Sequence, residues 1–295
     1  MEGNPNPLNE DNAATDSILS SGLGNGVNLQ PSYYNGGNVD LGWSLMAQYT
    51  KIKAVRIEIE PGQETNAQRW INEALTNGYT TIATHHKFQA PLGSDDVNEL
   101  FRAADWWVAN YQNLQASGRF MINLMNEWGS HAIKANDFAA AYNRAITAVR
   151  TVYDGPIIID IPGFGQEAHT ASLAVTGAAN ETIADPNIIL STHIYPNAWN
   201  AAKKREMTKA DIDELGSTGV NCMVGEFGDD GSSGRTKWSD LVAYAKSQDW
   251  PVFGWAWNGD GGSMNMITPQ FQPFVGGQAQ PYTESPYFNT IYNNL

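Results

Sequence analysis

The chain holds one cysteine, Cys222, in 295 residues, so no intrachain disulfide can form. Cys222 lies in the apolar run Cys222-Met223-Val224, a setting that points to a buried, inert thiol. Basic residues are also scarce. There are 17 Lys and Arg against 31 Asp and Glu, a formal charge of −14. Nucleic acids and anionic membrane surfaces attract clustered cations, so this balance argues against both as partners. No apolar run approaches the length of a transmembrane helix. The first residues lack an apolar signal segment, because Met1 is followed by a polar stretch from 2 to 16. That start is expected of a secreted chain whose leader has been removed, although a cytoplasmic protein with a frayed end reads alike. No Gly-rich dinucleotide fingerprint follows the first strand candidate, and no phosphate-binding lysine loop occurs. Gly-x-Ser-x-Gly is missing, as are His-Glu-x-x-His and any pair of ligands at zinc spacing. We therefore expect neither cofactor nor metal. Asp229-Asp230-Gly231 lacks the spaced ligands of a calcium loop and reads as a turn.

Aromatic residues are plentiful, with ten Trp and twelve Tyr. Some must fill the core, and others can stack on the C–H faces of sugars. A neutral polysaccharide is the partner such a surface suits, and a monomer is expected. Eight strand candidates run through the chain, at 26–29, 54–59, 80–85, 120–126, 156–160, 188–195, 221–226 and 251–257. Several are nearly continuous apolar runs, as parallel strands covered on both faces should be. Amphipathic stretches at 94–114, 136–153, 237–248 and 287–294 predict helices between or after them. Ser94 is the expected N-cap of the first, and Thr208 with Asp211 resembles a capping box. The alternation predicts an α/β fold, a single-domain (β/α)8 barrel over residues 21–295 behind a polar segment at 1–20. A doubly wound open sheet is the runner-up. The stretch from 259 to 281 reads as a long loop.

In such a barrel the C-terminal strand ends share one face, where chemistry is built. The polar residues here sit at those ends: Arg56, His85 and His86, Asn126 and Glu127, Asp160, His193 and Tyr195, Glu226, and Trp255 and Trp257. Strands four and seven each deliver a carboxylate, Glu127 and Glu226, the minimal pair for cleaving a glycosidic bond. Leu124-Met125-Asn126-Glu127-Trp128-Gly129 and Val224-Gly225-Glu226-Phe227-Gly228 resemble the acid/base and nucleophile motifs of glycoside hydrolase family 5. Val55-Arg56-Ile57, Ser191-Thr192-His193-Ile194-Tyr195 and Gly254-Trp255-Ala256-Trp257-Asn258-Gly259 are similar to further motifs of that family, in the same order. The resemblance implies a retaining enzyme with Glu127 as general acid/base and Glu226 as nucleophile. It implies that Arg56 and Tyr195 hold Glu226 ionised and that Asn126 meets the sugar 2-OH. His193 tunes the carboxylates or binds sugar, or else is a packed core histidine. Trp255 is expected to carry a sugar, with Trp257 on the same side of the strand. Of the adjacent histidines, His86 is expected to face the substrate.

Asp105-Trp106-Trp107, Ile159-Asp160-Ile161-Pro162-Gly163-Phe164-Gly165-Gln166 and the last tryptophan motif are similar to bacterial endo-β-1,4-mannanases. They imply cleavage of internal bonds in mannan or glucomannan. Phe164 stands where Trp is usual, Lys87 where an acid is usual, and the residues after Tyr195 differ. Endo-β-1,4-glucanase is the alternative, and a non-catalytic carbohydrate-binding barrel the reading from a different class.

Overall fold

The computed structural model describes residues 23–87, 92–115 and 118–295. The polar segment expected at 1–20 lies outside them. Eight parallel strands close into a barrel: β1 (Gly26–Leu29), β2 (Ala54–Ile59), β3 (Thr80–His85), β4 (Met121–Asn123), β5 (Ile157–Asp160), β6 (Ile188–Ile194), β7 (Asn221–Phe227) and β8 (Val252–Asn258). Each pairs with its sequence neighbour, and β8 returns to β1. A helix follows each strand: α1 (Trp43–Met46), α2 (Glu64–Thr76), α3 (Val97–Leu114), α4 (Ala135–Val149), α5 (Ala168–Thr176), α6 (Lys209–Gly216), α7 (Trp238–Ser247) and α8 (Phe288–Tyr292), with a further single turn at Pro162–Gly165 between β5 and α5. The expected (β/α)8 barrel is the architecture found. Among the described residues no helix is long and apolar enough to cross a membrane.

Side chains alternate across each strand, and this divides the apolar interior in two. Outward residues such as Val55, Ile57, Ile122, Ile159, Leu190 and Val224 pack against the helices in the larger cluster. Inward residues at the N-terminal end form a separate plug. It consists of Ala54, Ile82, Met121, Ile158, Ile189, Met223 and Phe253, one from each of β2 to β8, with Leu23 beside them. Two residues further along the strands the inward positions turn polar: Arg56, Thr84, Asn123, Asp160 and Ser191, all fully buried. The alternation thus stacks a polar layer directly on an apolar floor, below the C-terminal mouth.

The helices differ from expectation in detail. On α3 the buried stripe is Leu100, Ala103, Ala104, Trp107, Tyr111 and Leu114, while Val97 and Val108 are exposed. Its N-cap is Asp96 instead of Ser94, with Asp96 Oδ1 accepting from the Asn98 N–H at 3.0 Å. The box opening α6 forms, with the Thr208 N–H donating to Asp211 Oδ2 at 2.7 Å. Strand four is shorter than expected, yet the Asn126 N–H still reaches the His85 carbonyl at 2.9 Å. The loop expected after β8 carries a two-residue ladder, Ile267–Thr268 against Thr283–Glu284.

Candidate active site

Arg56 is the centre of the polar layer. It is fully buried, and its guanidinium donates in every direction. Nε reaches Asn123 Oδ1 at 2.9 Å. Nη1 reaches Asn28 Oδ1 at 2.9 Å, Glu58 Oε1 at 2.8 Å and Glu226 Oε1 at 3.0 Å. Nη2 reaches Asn126 Oδ1 at 2.7 Å and Asp160 Oδ2 at 3.2 Å. One fixed cation therefore faces three carboxylates, from β2, β5 and β7. Burial opposes its charge, but Asp160, Glu226 and Glu58 outweigh that and hold it protonated. Asn126 spends its amide oxygen on Arg56, so only its NH2 is left to face a ligand.

Glu226 also accepts from the Tyr195 hydroxyl at 2.8 Å. Glu127 faces it across the mouth. One carboxylate oxygen of each lies within 4.8 Å of the other. His193 Nδ1 sits between them, 2.8 Å from Glu127 Oε1 and 3.6 Å from Glu226 Oε1. Two glycines permit that position. A Cβ on Gly225 would lie 3.1 Å from His193 Nε2, and one on Gly165 would lie 2.6 Å from its Cγ. Glu127 has φ +48°, a left-handed backbone that non-glycine residues adopt at a cost. Its N–H is held by Asp160 Oδ2 at 3.0 Å and its carbonyl by the Gly93 N–H at 2.9 Å. Burial, joined by the charge on Glu226, raises the Glu127 pKa above the usual carboxylate range. Burial works against a charged His193, but Glu226 and Asp160 lift its pKa well above the ordinary value.

The family profile described as cellulase (glycosyl hydrolase family 5) matches residues 42–261. The chain belongs to glycosyl hydrolase family 5. It is 28% identical over 181 residues to a mannan endo-1,4-beta-mannosidase of Streptomyces lividans, covering 59% of this chain and 45% of that one. It is 27% identical over 169 residues to beta-mannanase/endoglucanase A of Caldicellulosiruptor saccharolyticus, covering 55% of this chain and 12% of the other. The match thus spans less than half the length of either relative. In fold it is similar to the catalytic domain of a mannanase from Streptomyces sp. SirexAA-E, with TM-score 0.69 and 18% identity over 93% of this chain and 85% of that one. It is likewise similar to a Thermomonospora fusca beta-mannanase, with TM-score 0.67 and 19% identity over 93% of this chain and 89% of the other.

Around this family 5 centre the aromatic residues separate by depth. Trp255 is half-buried at the rim, its Nε1 donating to Asp260 Oδ1 at 3.1 Å. Trp257, expected on the same side, is instead fully enclosed among the barrel and helices. Its Nε1 donates to the Leu41 carbonyl at 2.9 Å, so it is a core residue and not a sugar contact. The reason is a register shift. From Gly254 to Asn258 β8 advances four residues while its partner β1 advances two, from Val27 to Leu29, which breaks the simple alternation. Trp128 is also buried, stacked on Phe138.

His85 turns outward against Trp106, and burial lowers its pKa to about 4. His86 turns toward the site's edge, with Nδ1 2.7 Å from Glu60 Oε1 and Nε2 3.5 Å from Glu58 Oε2. The sequence motifs do not mark Glu58, and they mark Asp160 only as a strand-end residue. Both are fully buried on Arg56, and burial pushes Glu58 up to about 7. Their signal was the inward alternation, since Arg56 and Glu58 are two apart on one strand. Lys87, placed where an acid is usual, pairs with Glu99 at 2.8 Å. Asp229 and Asp230 accept from the N–H groups of Gly231 and Ser232, as the expected turn requires. Burial pushes the Cys222 thiol up to about 12, so little of it ionises at neutral pH.

Glu127, His193 and Glu226 also present three ligand atoms at a spacing a cation could use. Arg56 lies 3.0 Å from Glu226 Oε1, and its fixed charge would repel a dication there.

Proposed function

We propose that this family 5 chain is a retaining endo-β-1,4-mannanase, with Glu127 as general acid/base and Glu226 as nucleophile. The carrying observation is the approach of the two carboxylates, oxygen to oxygen within 4.8 Å. Retaining enzymes hold their pair about 5–5.5 Å apart, whereas inverting ones leave about 6.5–9.5 Å for a water. The unequal surroundings of the pair support the division of roles. Glu226 accepts from the Arg56 guanidinium and the Tyr195 hydroxyl, two donors that fix the orientation of its carboxylate, as a nucleophile requires. Glu127 has His193 beside it, which lowers its pKa, but burial and the charge on Glu226 outweigh that contact, and the net raised pKa suits a proton donor.

In the first step Glu226 attacks the anomeric carbon as Glu127 protonates the departing oxygen. Glycosylation then removes the charge on Glu226. The Glu127 pKa falls in response, and the ionised carboxylate draws a proton from the attacking water. The Asn126 NH2, whose amide oxygen is taken by Arg56, would donate to the 2-OH of the sugar at the cleavage point.

The choice of mannan is supported by the motif likeness and by the mannanase names of both curated relatives. Mannose and glucose differ only in the orientation of the 2-OH, where one contact can discriminate strongly. Endoglucanase is the second reading, because one relative carries that activity in its name as well. Purified protein should release reducing ends from mannan faster than from carboxymethylcellulose, with β-configured products first in the NMR spectrum. Glu226→Ala should remove that activity without unfolding the chain. A faster rate on carboxymethylcellulose would overturn the substrate, and α-configured first products would overturn the mechanism.

A further inference from the structure

The hairpin after β6 is built in a way the catalytic pair does not require. Trp199–Asn200 pairs with Arg205–Glu206 in a short antiparallel ladder. Two buried carboxylates hold it. Glu167, fully buried, accepts from the Ala201 N–H at 2.6 Å and the Ala202 N–H at 3.2 Å, and also contacts His131 Nδ1 at 2.6 Å. Asp211, also fully buried, accepts from Asn200 Nδ2 at 2.8 Å and pairs with Arg205 at 2.6 Å. The nearly buried Gln166 accepts from the N–H of Trp199 itself at 2.7 Å. Burying carboxylates is costly unless donors meet them, and here the donors belong largely to the hairpin.

What this framework displays is an indole left 40% exposed. A single exposed aromatic needs no explanation by itself. Trp199, however, lines the same cavity as Glu127 and Glu226, an opening of about 480 Å³ that also meets His131, Phe164 and Gln166. These flanking residues follow β4, β5 and β6. Arg56, Glu226 and Trp255 come from β2, β7 and β8, on the other sector of the mouth. A sugar seated against Trp255 for attack by Glu226 would lie over that second sector. The group that leaves with the oxygen protonated by Glu127 then lies over β4 to β6, where Trp199 stands.

We propose that Trp199 is the stacking platform for a pyranose ring of the leaving saccharide, fixed in place by the buried Gln166, Glu167 and Asp211. This rests on the retaining glycosidase reading above but not on the choice of mannan. The flat, apolar indole face suits the C–H face of a neutral sugar. The carboxylates of the same cavity disfavour an acidic one.

The test compares two substrates that share a glycone and differ in leaving group: a β-linked oligosaccharide, and the corresponding β-glycosyl fluoride, whose departing fluoride needs no platform. The oligosaccharide series is whichever the wild type cleaves, manno or gluco, so a wrong substrate choice shows separately. Trp199→Ala should lower kcat/KM about tenfold on the oligosaccharide, the scale of one strong aromatic contact, and leave the fluoride nearly unchanged. Trp199→Phe should recover most of the loss. An equal loss on both substrates, or no loss on either, would overturn the proposal. In the Glu127→Gln protein, oligosaccharide binding should perturb tryptophan fluorescence less once Trp199 is replaced by Phe. An identical perturbation would count against the platform even if turnover proved too slow to measure.

Discussion

Asp160 shows how one side chain can serve several others. It is paired with Arg56, accepts from the strained Glu127 N–H, and places Oδ1 3.5 Å from His193 Nε2. Burial alone would raise its pKa, but His193 and Arg56 outweigh burial and hold the carboxyl well below its ordinary value of 3.8. The sign of the linkage follows from that depression. Its contribution to stability is complete above the unfolded value and is lost as pH falls through the lower folded value. Asp160→Asn should therefore cost about 3 kcal/mol at neutral pH, the scale of breaking a buried ion pair. Denaturant unfolding of both proteins at a series of pH values should show the gap narrowing below pH 3.8. A gap that stays constant into acid would mean that shape, and not charge, makes the contribution. Activity should fall as well, because the Glu127 backbone loses the charged acceptor that holds its left-handed conformation.

At the level of elements, two local readings failed for different reasons. Ser94 and Asp96 are both good capping residues, and only the path of the chain decides between them. The Ser94 carbonyl is engaged by the Gly129 N–H at 3.0 Å, which ties that residue to the loop after β4. The helix then opens two residues later, on Asp96. Asp96→Ala should cost about 1 kcal/mol in urea unfolding, and Ser94→Ala clearly less. The reverse order would return the cap to Ser94. Trp257 was misplaced because strict alternation was extended through a strand whose end is shifted against β1. Such a shift answers to neighbouring strands and to the loop beyond, where the Met266 N–H pairs with the Ala256 carbonyl at 2.8 Å. Nothing in the local sequence marks it. The regular parts of strands were legible by contrast, since inward Arg56 and Asp160 alternate with the outward apolar neighbours Val55, Ile57, Ile159 and Ile161.

At the scale of the whole molecule, the site stands on the apolar plug. Phe253 is the largest member of that cluster and is fully buried. It also lies within 2.6 Å of where a Cβ on Gly26 would be, so β1 approaches it as only glycine allows. Phe253→Ala should cost about 3–5 kcal/mol, the range for truncating a buried aromatic. The loss should appear as a lower denaturation midpoint with an unchanged slope. A loss under about 1 kcal/mol would mean that the plug collapses to fill the space.

The amino-acid sequence by itself determined the number and order of strands, the face each strand residue takes where pairing is regular, and the two glutamates at strand ends. These follow from short-range periodicity, and periodicity is written in neighbouring residues. Only the tertiary structure decided how close Glu127 comes to Glu226, that Arg56 is shared among three carboxylates, that Trp257 is enclosed, and that Trp199 reaches the mouth. Each of these is a distance between residues remote in the chain. Barrel closure, strand register and loop anchoring set such distances together, and no local pattern encodes them.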